Sequence, residues 1–161
     1  MSVSILFVCL GNICRSPMAE AVMRDLVAKE ELEGKVRIDS AGTGDWHVGS
    51  PPHRGTRRVL DRHGISYEGI AARQLVREDG DRFDWIVAMD ASNERDIRAI
   101  IGPNARAAVL RLLSLVPGKE GEDVPDPYYS GRFDEVYELV REGCGHLLAL
   151  VRKRLEGGLG A

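Results

Sequence analysis

Residues 3–29, VSILFVCLGNICRSPMAEAVMRDLVAK, carry the pattern from which the rest of the chain can be read. Val3 to Cys9 is an unbroken apolar run with β-branched and aromatic members, the pattern of a strand covered on both faces, as in a parallel sheet. The run ends at Leu10-Gly11-Asn12. From Pro17 onward Met18, Ala21, Val22 and Leu26 recur at helical spacing, with Glu20, Arg24, Asp25 and Lys29 mostly on the opposite side. Ser16-Pro17 supports a helix start, because serine is a favoured N-cap and proline loses no hydrogen bond at the first helical position. Lys35 to Ser40 reads as a second strand, completing a βαβ unit whose crossover should be right-handed.

The alternation continues outward from this unit. A loop rich in Gly and Pro covers residues 42 to 52, Arg54 to His63 reads as a helix stopped by Gly64, and Phe83 to Met89 as another buried strand. Asp90 to Ser92 opens a helix through about Ile101, and Ala107 to Leu112 is the fourth strand. Pro117 to Tyr129 is a long loop, Phe133 to Leu155 a closing amphipathic helix, and Gly157 to Ala161 is expected to fray. Strands alternating with helices imply an α/β fold, a three-layer sandwich around a four-stranded parallel sheet with ligands at the carboxyl ends of the strands. No repeat, low-complexity tract or interior linker divides the chain, so residues 1–161 are expected to form one domain.

Composition narrows the function classes. A chain of 161 residues can bury one substantial core without disulfides or a metal. At 43% hydrophobic and 29% charged it sits near the globular average, which argues against disorder. The net charge of -3 gives no global reason to expect nucleic-acid binding. Arg54, Arg57, Arg58 and Arg62 do fall at helical spacing, as a solvated face or as a patch for acidic substrates or partners. No apolar run approaches the roughly 18 residues of a membrane span, and Ser4 to Leu10 lacks the flanks of an export signal, so no membrane association and a cytoplasmic location are expected. Three cysteines, Cys9, Cys14 and Cys144, form an odd and sparse set that suits a reducing compartment, and the four histidines show no paired ligand spacing, so no metal is predicted.

Chemistry concentrates in Cys9-Leu10-Gly11-Asn12-Ile13-Cys14-Arg15-Ser16-Pro17, which joins the first strand to the first helix. Unpaired N–H groups at a helix start, with a curled loop ahead of it, make a concavity for a tetrahedral anion. Gly11 and Asn12 are the types that most easily take left-handed backbone angles, which would turn the loop's amides inward. Arg15 offers a planar fork for two phosphate oxygens. The same positive field should favour the Cys9 thiolate, and Ser16 can donate a hydroxyl hydrogen bond to that sulfur.

The run CLGNICRSPMAE resembles the signature of the low-molecular-weight protein tyrosine phosphatases, and the resemblance extends through DSAGT at 39–43, RG at 54–55, ARQL at 72–75, MDASN at 89–93 and DPYY at 126–129. It implies a flavodoxin-like sheet, no metal or organic cofactor, and tyrosine-phosphorylated protein substrates. A monomer is expected, with a weak dimer as the alternative. The resemblance assigns Cys9 as nucleophile, Arg15 and the loop Leu10 to Ser16 as the phosphate site, and Asp126 as the acid that protonates the leaving group. Residue pattern alone would read Asp126-Pro127 as a turn. Trp46, Tyr128 and Tyr129 would line the mouth of an apolar slot walled by Leu10 and Ile13, giving flat surfaces against an aryl ring.

The resemblance also implies that Ser40 hydrogen-bonds Asn12, while a histidine often found in that support network is replaced by Ile70. Relatives resembling phosphoarginine phosphatases tend to carry a smaller threonine where this chain has Ile13, so isoleucine favours phosphotyrosine. Cys14 could trap an oxidised Cys9 as a reversible disulfide, as in relatives. The rivals on the same fold are a protein arginine phosphatase and an arsenate reductase, the latter needing a cysteine relay for which only Cys14 and Cys144 remain. A rival of another class is an idle module that binds phosphoproteins without turnover.

Overall fold

The structure, a computed structural model, describes residues 2–160, with side chains described as far as Gly157. Strand β1 (Val3–Cys9) leads through a short loop into helix α1 (Arg15–Lys29), followed by β2 (Val36–Gly42), α2 (Arg54–Arg62) and the short α3 (Asp79–Arg82). Then come β3 (Trp85–Ala88), α4 (Ala91–Ile101), β4 (Ala108–Arg111), a 3-10 turn (Leu112–Leu115), the short α5 (Pro127–Ser130) and α6 (Phe133–Gly160). The four strands form one parallel sheet in the order β2-β1-β3-β4, with Ile5 paired to Ile38 on one side and Trp85 on the other.

Side chains alternate across a strand, and in β1 both faces are apolar because both are covered. Val3, Ile5, Phe7 and Cys9 face the larger core, shared with α1, α2 and α6. Leu6 and Val8 face a second core, built with Ala41, Phe83, Ile86, Ile97 and Ile101, under α3 and α4. The result is the expected three-layer α/β sandwich. Because the chain runs from β1 to β2 on one side and returns to β3 on the other, the strand order reverses at β1, and a crevice opens at the carboxyl end of that strand, where Cys9 lies.

Several expectations are corrected. Helix α1 starts at Arg15, flanked by Cys14, so Ser16 and Pro17 lie inside its first turn and Ser16 is not the N-cap. Residues Arg15 to Met23 are all buried, Glu20 included, because α1 is wedged between the sheet, α2 and α6, so its first half has no solvent side for Glu20 to occupy. Strand β2 runs on to Gly42, α3 and the 3-10 turn were not anticipated, and α5 interrupts the long loop before Tyr129. Helix α6 continues past Leu155 to Gly160 where fraying was expected, and Ala161 lies outside the described residues. No helix among the described residues is long and apolar enough to cross a membrane.

Candidate active site

The loop between β1 and α1 has its polar backbone sorted by direction. The carbonyls of Cys9 and Leu10 accept from the N–H groups of Thr43 and Gly44, at 3.0 and 2.9 Å. Those of Ile13 and Cys14 accept from the His53 N–H at 2.7 Å and the Thr56 hydroxyl at 3.1 Å. By contrast, no N–H from Leu10 to Cys14 finds a partner among the described residues. Carbonyls turned out and amides turned in make an anion nest at the start of a helix whose dipole points the same way. Asn12 supplies the left-handed turn, with φ 57°. Gly11, expected to share that role, does not have a positive φ; a Cβ there would lie 3.1 Å from the His47 ring, which would have to shift by a few tenths of an ångström.

Beneath the loop a hydrogen-bonded chain fixes the sulfur's surroundings. The Arg73 N–H donates to Asn12 Oδ1 at 3.0 Å, which orients the amide, because a backbone N–H can only be met by oxygen. Asn12 Nδ2 must then donate both its hydrogens, to Ser16 Oγ at 2.8 Å and Ser40 Oγ at 3.0 Å. Ser16, already accepting, turns its own hydrogen to Cys9 Sγ, 2.9 Å away. Ser40 likewise passes its hydrogen to Glu20 Oε1 at 2.6 Å. Glu20 is buried, and its pKa is raised by that burial, opposed by the Ser40 hydrogen bond and by Arg24. Ile70 belongs to the larger core, so the polar end of this network comes from Glu20 on α1.

Arg15, 3% exposed, is held on one side only. Its Nη1 donates to Asp90 Oδ2 at 2.6 Å and to the Val124 carbonyl at 2.9 Å, while Nε is buried without a partner. Burial opposes the guanidinium's charge, but the Cys9 sulfur and the Asp90 carboxylate outweigh it and hold its pKa above the ordinary value. Asp90 also caps α4 by accepting the Asn93 N–H at 2.7 Å, so one carboxylate ties the end of β3 to the arginine. Asp126 Oδ2 stands 3.6 Å from Arg15 Nη2, and its Oδ1 caps α5 by accepting the Tyr128 N–H at 3.1 Å.

These groups open onto a cleft of about 220 Å³ lined by Cys9, Leu10, Ile13, Arg15, Trp46, Asp126, Tyr128 and Tyr129, together with His47. Gly11 and Cys14 line it as well, whereas Asn12, Ser16 and Ser40 lie in the buried layer beneath. Of the three cysteines only Cys9 and Cys14 reach the cleft; Cys144 is buried on α6, its Sγ 3.8 Å from the Ala19 carbonyl. Burial, then the charges of Cys9 and Asp126, push the Cys14 thiol up to about 12, with Arg15 pulling the other way, so Cys14 is neutral near pH 7. His53 caps α2 by accepting the Gly55 N–H on Nδ1 at 2.9 Å, packs edge-on to Tyr128 and stacks on Phe133. Burial and the charges of Arg54 and Arg57 lower its pKa, in keeping with that acceptor role. Among the described residues no group of three or more His, Cys, Asp or Glu is arranged to hold a metal ion.

Sequence reasoning missed Asp90, Glu20, Arg73 and His47. Asp90 had a readable signal, a helix-capping Asp directly after a buried strand, at the sheet edge where ligands bind. Glu20 had the opposite signal, since its spacing placed it with the exposed charges of α1. Arg73 lay in the ARQL stretch but was given no role, and His47, in an irregular segment, carried no signal.

A family-wide sequence profile described as "Low molecular weight phosphotyrosine protein phosphatase" matches residues 4–156. The chain is 54% identical to the low molecular weight protein-tyrosine-phosphatase YfkJ of Bacillus subtilis, covering 94% of this chain and 97% of that one. It is 45% identical to PtpA of Staphylococcus haemolyticus, over 94% and 95% of the two chains. The crystal structure of YfkJ superposes with a TM-score of 0.92 over 96% of this chain and 97% of that one. A Drosophila arginine phosphatase, 36% identical, gives 0.83 over 90% and 95%. With the same four-stranded parallel sheet and a profile match over nearly its whole length, the chain belongs to the low molecular weight phosphotyrosine protein phosphatase family.

Proposed function

We propose that the protein hydrolyses phosphotyrosine in protein substrates through a phosphocysteine on Cys9, as a cytoplasmic, monomeric, single-domain enzyme that needs no metal or organic cofactor. The observation that carries this reading is the loop of free N–H groups around a sulfur that Ser16 donates to, with the unpartnered Nε of Arg15 at its edge. Cys9 Sγ attacks phosphorus in line, forming the S–P bond as the bond to the tyrosyl oxygen breaks, while Asp126 gives that oxygen its proton. The loop amides and Arg15 hold the equatorial oxygens throughout. Water then attacks the phosphocysteine, Asp126 takes a proton from it, and the thiolate leaves with inorganic phosphate released. Trp46, Tyr128 and Tyr129 offer aromatic surface to the aryl ring, and Ile13 lines the same cleft.

Protein arginine dephosphorylation is the second reading, favoured by the likeness to the Drosophila arginine phosphatase. The aromatic lining and Ile13 argue for tyrosine. Arsenate reduction has weaker support, since Cys144 lies away from the cleft. The test is release of p-nitrophenol from p-nitrophenyl phosphate in reducing buffer with chelator, for the parent and Cys9→Ser, followed by competition between phosphotyrosine and phosphoarginine peptides. Turnover by the parent alone, with phosphotyrosine preferred, is expected. No turnover by the parent would point to a binding module or, with thiol-dependent arsenite formation, to a reductase; phosphoarginine preference would replace the substrate.

A further inference from the structure

Beside the catalytic cleft, between residues 43–46 and the outer side of α4, lies a shallow groove that Leu10 and Trp46 share with the cleft and that Asp96, Ala99 and Ile100 complete. Leu10 is 38% and Trp46 68% exposed, so two large apolar side chains stand in water at the boundary between the two depressions. Trp46 packs directly over Gly44, where an added Cβ would fall 1.9 Å from the indole, so any side chain at position 44 would displace the wall. Among the described residues Asp96 is the one charged group lining the groove. The other acid of α4, Glu94, is taken by Arg98 and Arg111, whereas Asp96 forms no ion pair among the described residues.

Apolar walls, an exposed indole face and a single unpaired carboxylate select a side chain with an aliphatic stem and a cationic end. The stem covers apolar surface while its head stays hydrated beside the acid, and a cation near an indole gains from the ring's quadrupole. A purely apolar side chain would cover Asp96 without pairing it, and an acidic one would be repelled. We propose that this groove is a substrate subsite that takes a lysine or arginine close in sequence to the phosphotyrosine. The inference rests on the phosphatase reading and deepens it, because Leu10 and Trp46 make the groove continuous with the phosphotyrosine slot.

The test uses a phosphotyrosine peptide on an alanine background, with Arg, Leu or Glu placed in turn at each of the two positions on either side of the phosphotyrosine. The ratios are read as kcat/KM and as dissociation constants with Cys9→Ser, and p-nitrophenyl phosphate, too short to reach the groove, normalises each enzyme. At one position Arg should exceed Leu by about threefold and Glu by about tenfold. Asp96→Asn should bring Arg and Leu level, and Asp96→Lys should make Glu the preferred residue. Equal ratios at every position, or an Arg preference untouched by both Asp96 variants, would overturn the subsite. Failure of the phosphatase reading is separate: p-nitrophenyl phosphate would not be turned over, and the binding ratios would still decide the groove.

Discussion

The anion loop at 9–15 and the acid-bearing loop at 117–130 meet at one cleft but are built in opposite ways. In the first, Cys9, Asn12 and Arg15 are each no more than 3% exposed; Cys9 and Asn12 belong to a hydrogen-bonded chain running from Arg73 to Glu20, and Arg15 is tied to Asp90 and Val124. In the second, the Asp126 side chain is 29% exposed and held by one backbone N–H and a 3.6 Å approach to Arg15, next to a Tyr129 that is 84% exposed. The difference suits the chemistry proposed for each. A nucleophile and an anion clamp need one charge state and one geometry, which a buried hydrogen-bonded network enforces. A group that gives a proton in one step and takes one in the next needs access to water.

That contrast is most sharply broken by Arg15→Lys. An ammonium cannot reproduce the fork that faces the phosphate while Nη1 holds Asp90, so kcat/KM should fall by about 10²–10³-fold. Steady-state kinetics within threefold of the parent would mean that the clamp tolerates a point charge. Asp126→Ala should cost about 10²-fold or more in kcat, most for aryl phosphates with basic leaving groups, and about 0.5 kcal/mol or less in stability. A leaving-group series showing equal losses would remove the acid role, and a large drop in melting temperature would show that the loop is more tightly bound than its exposure implies.

Asn12→Ala tests the buried side from the stability end. It deletes three hydrogen bonds, leaves the Ser40 and Arg73 groups short of partners, and removes a residue suited to positive φ. Denaturant unfolding should show a loss of about 2–4 kcal/mol together with reduced turnover. A neutral change would mean that water replaces the amide.

The smallest effect concerns pH. His53 has its pKa lowered below 6.5 in the folded protein, so the unfolded chain takes up its proton first as pH falls, and the contribution of His53 to stability declines below about pH 6.5. Glu20, raised above 4.5, works the other way, because the folded state binds that proton more tightly and gains as pH falls toward 4.5. Replacing His53 by Asn, which can still accept the Gly55 N–H, should flatten the fall in melting temperature between pH 7.5 and 5.5; an unchanged slope would remove His53 as its source.

The four strands, the main helices and the Cys9–Arg15 loop were legible because each is a contiguous pattern: an apolar run, a helical period, a Gly-Asn turn before a helix. The resemblance carried Asp126, Ser40, Trp46, Tyr128 and Tyr129, and the structure brings them to the cleft or to the network beneath it. What stayed hidden depends on packing. Glu20 reads as an exposed helix charge and becomes buried because the sheet, α2 and α6 close around the first half of α1. Asp90 caps a helix, as its position suggested, yet its second oxygen reaches an arginine 75 residues away.

Local pattern thus determined the sheet and the loop between β1 and α1 that carries the proposed nucleophile, since strand propensity, helix starts and turn residues act over a few neighbouring positions. Only the tertiary structure decided which groups serve that loop. It placed Asp90 and Val124 on one side of Arg15, aligned the hydrogens from Arg73 to Cys9, set Glu20 beneath Ser40, and left Asp96 unpaired beside Trp46. Those outcomes depend on groups far apart in the chain becoming neighbours and losing water together, which no single stretch of residues encodes.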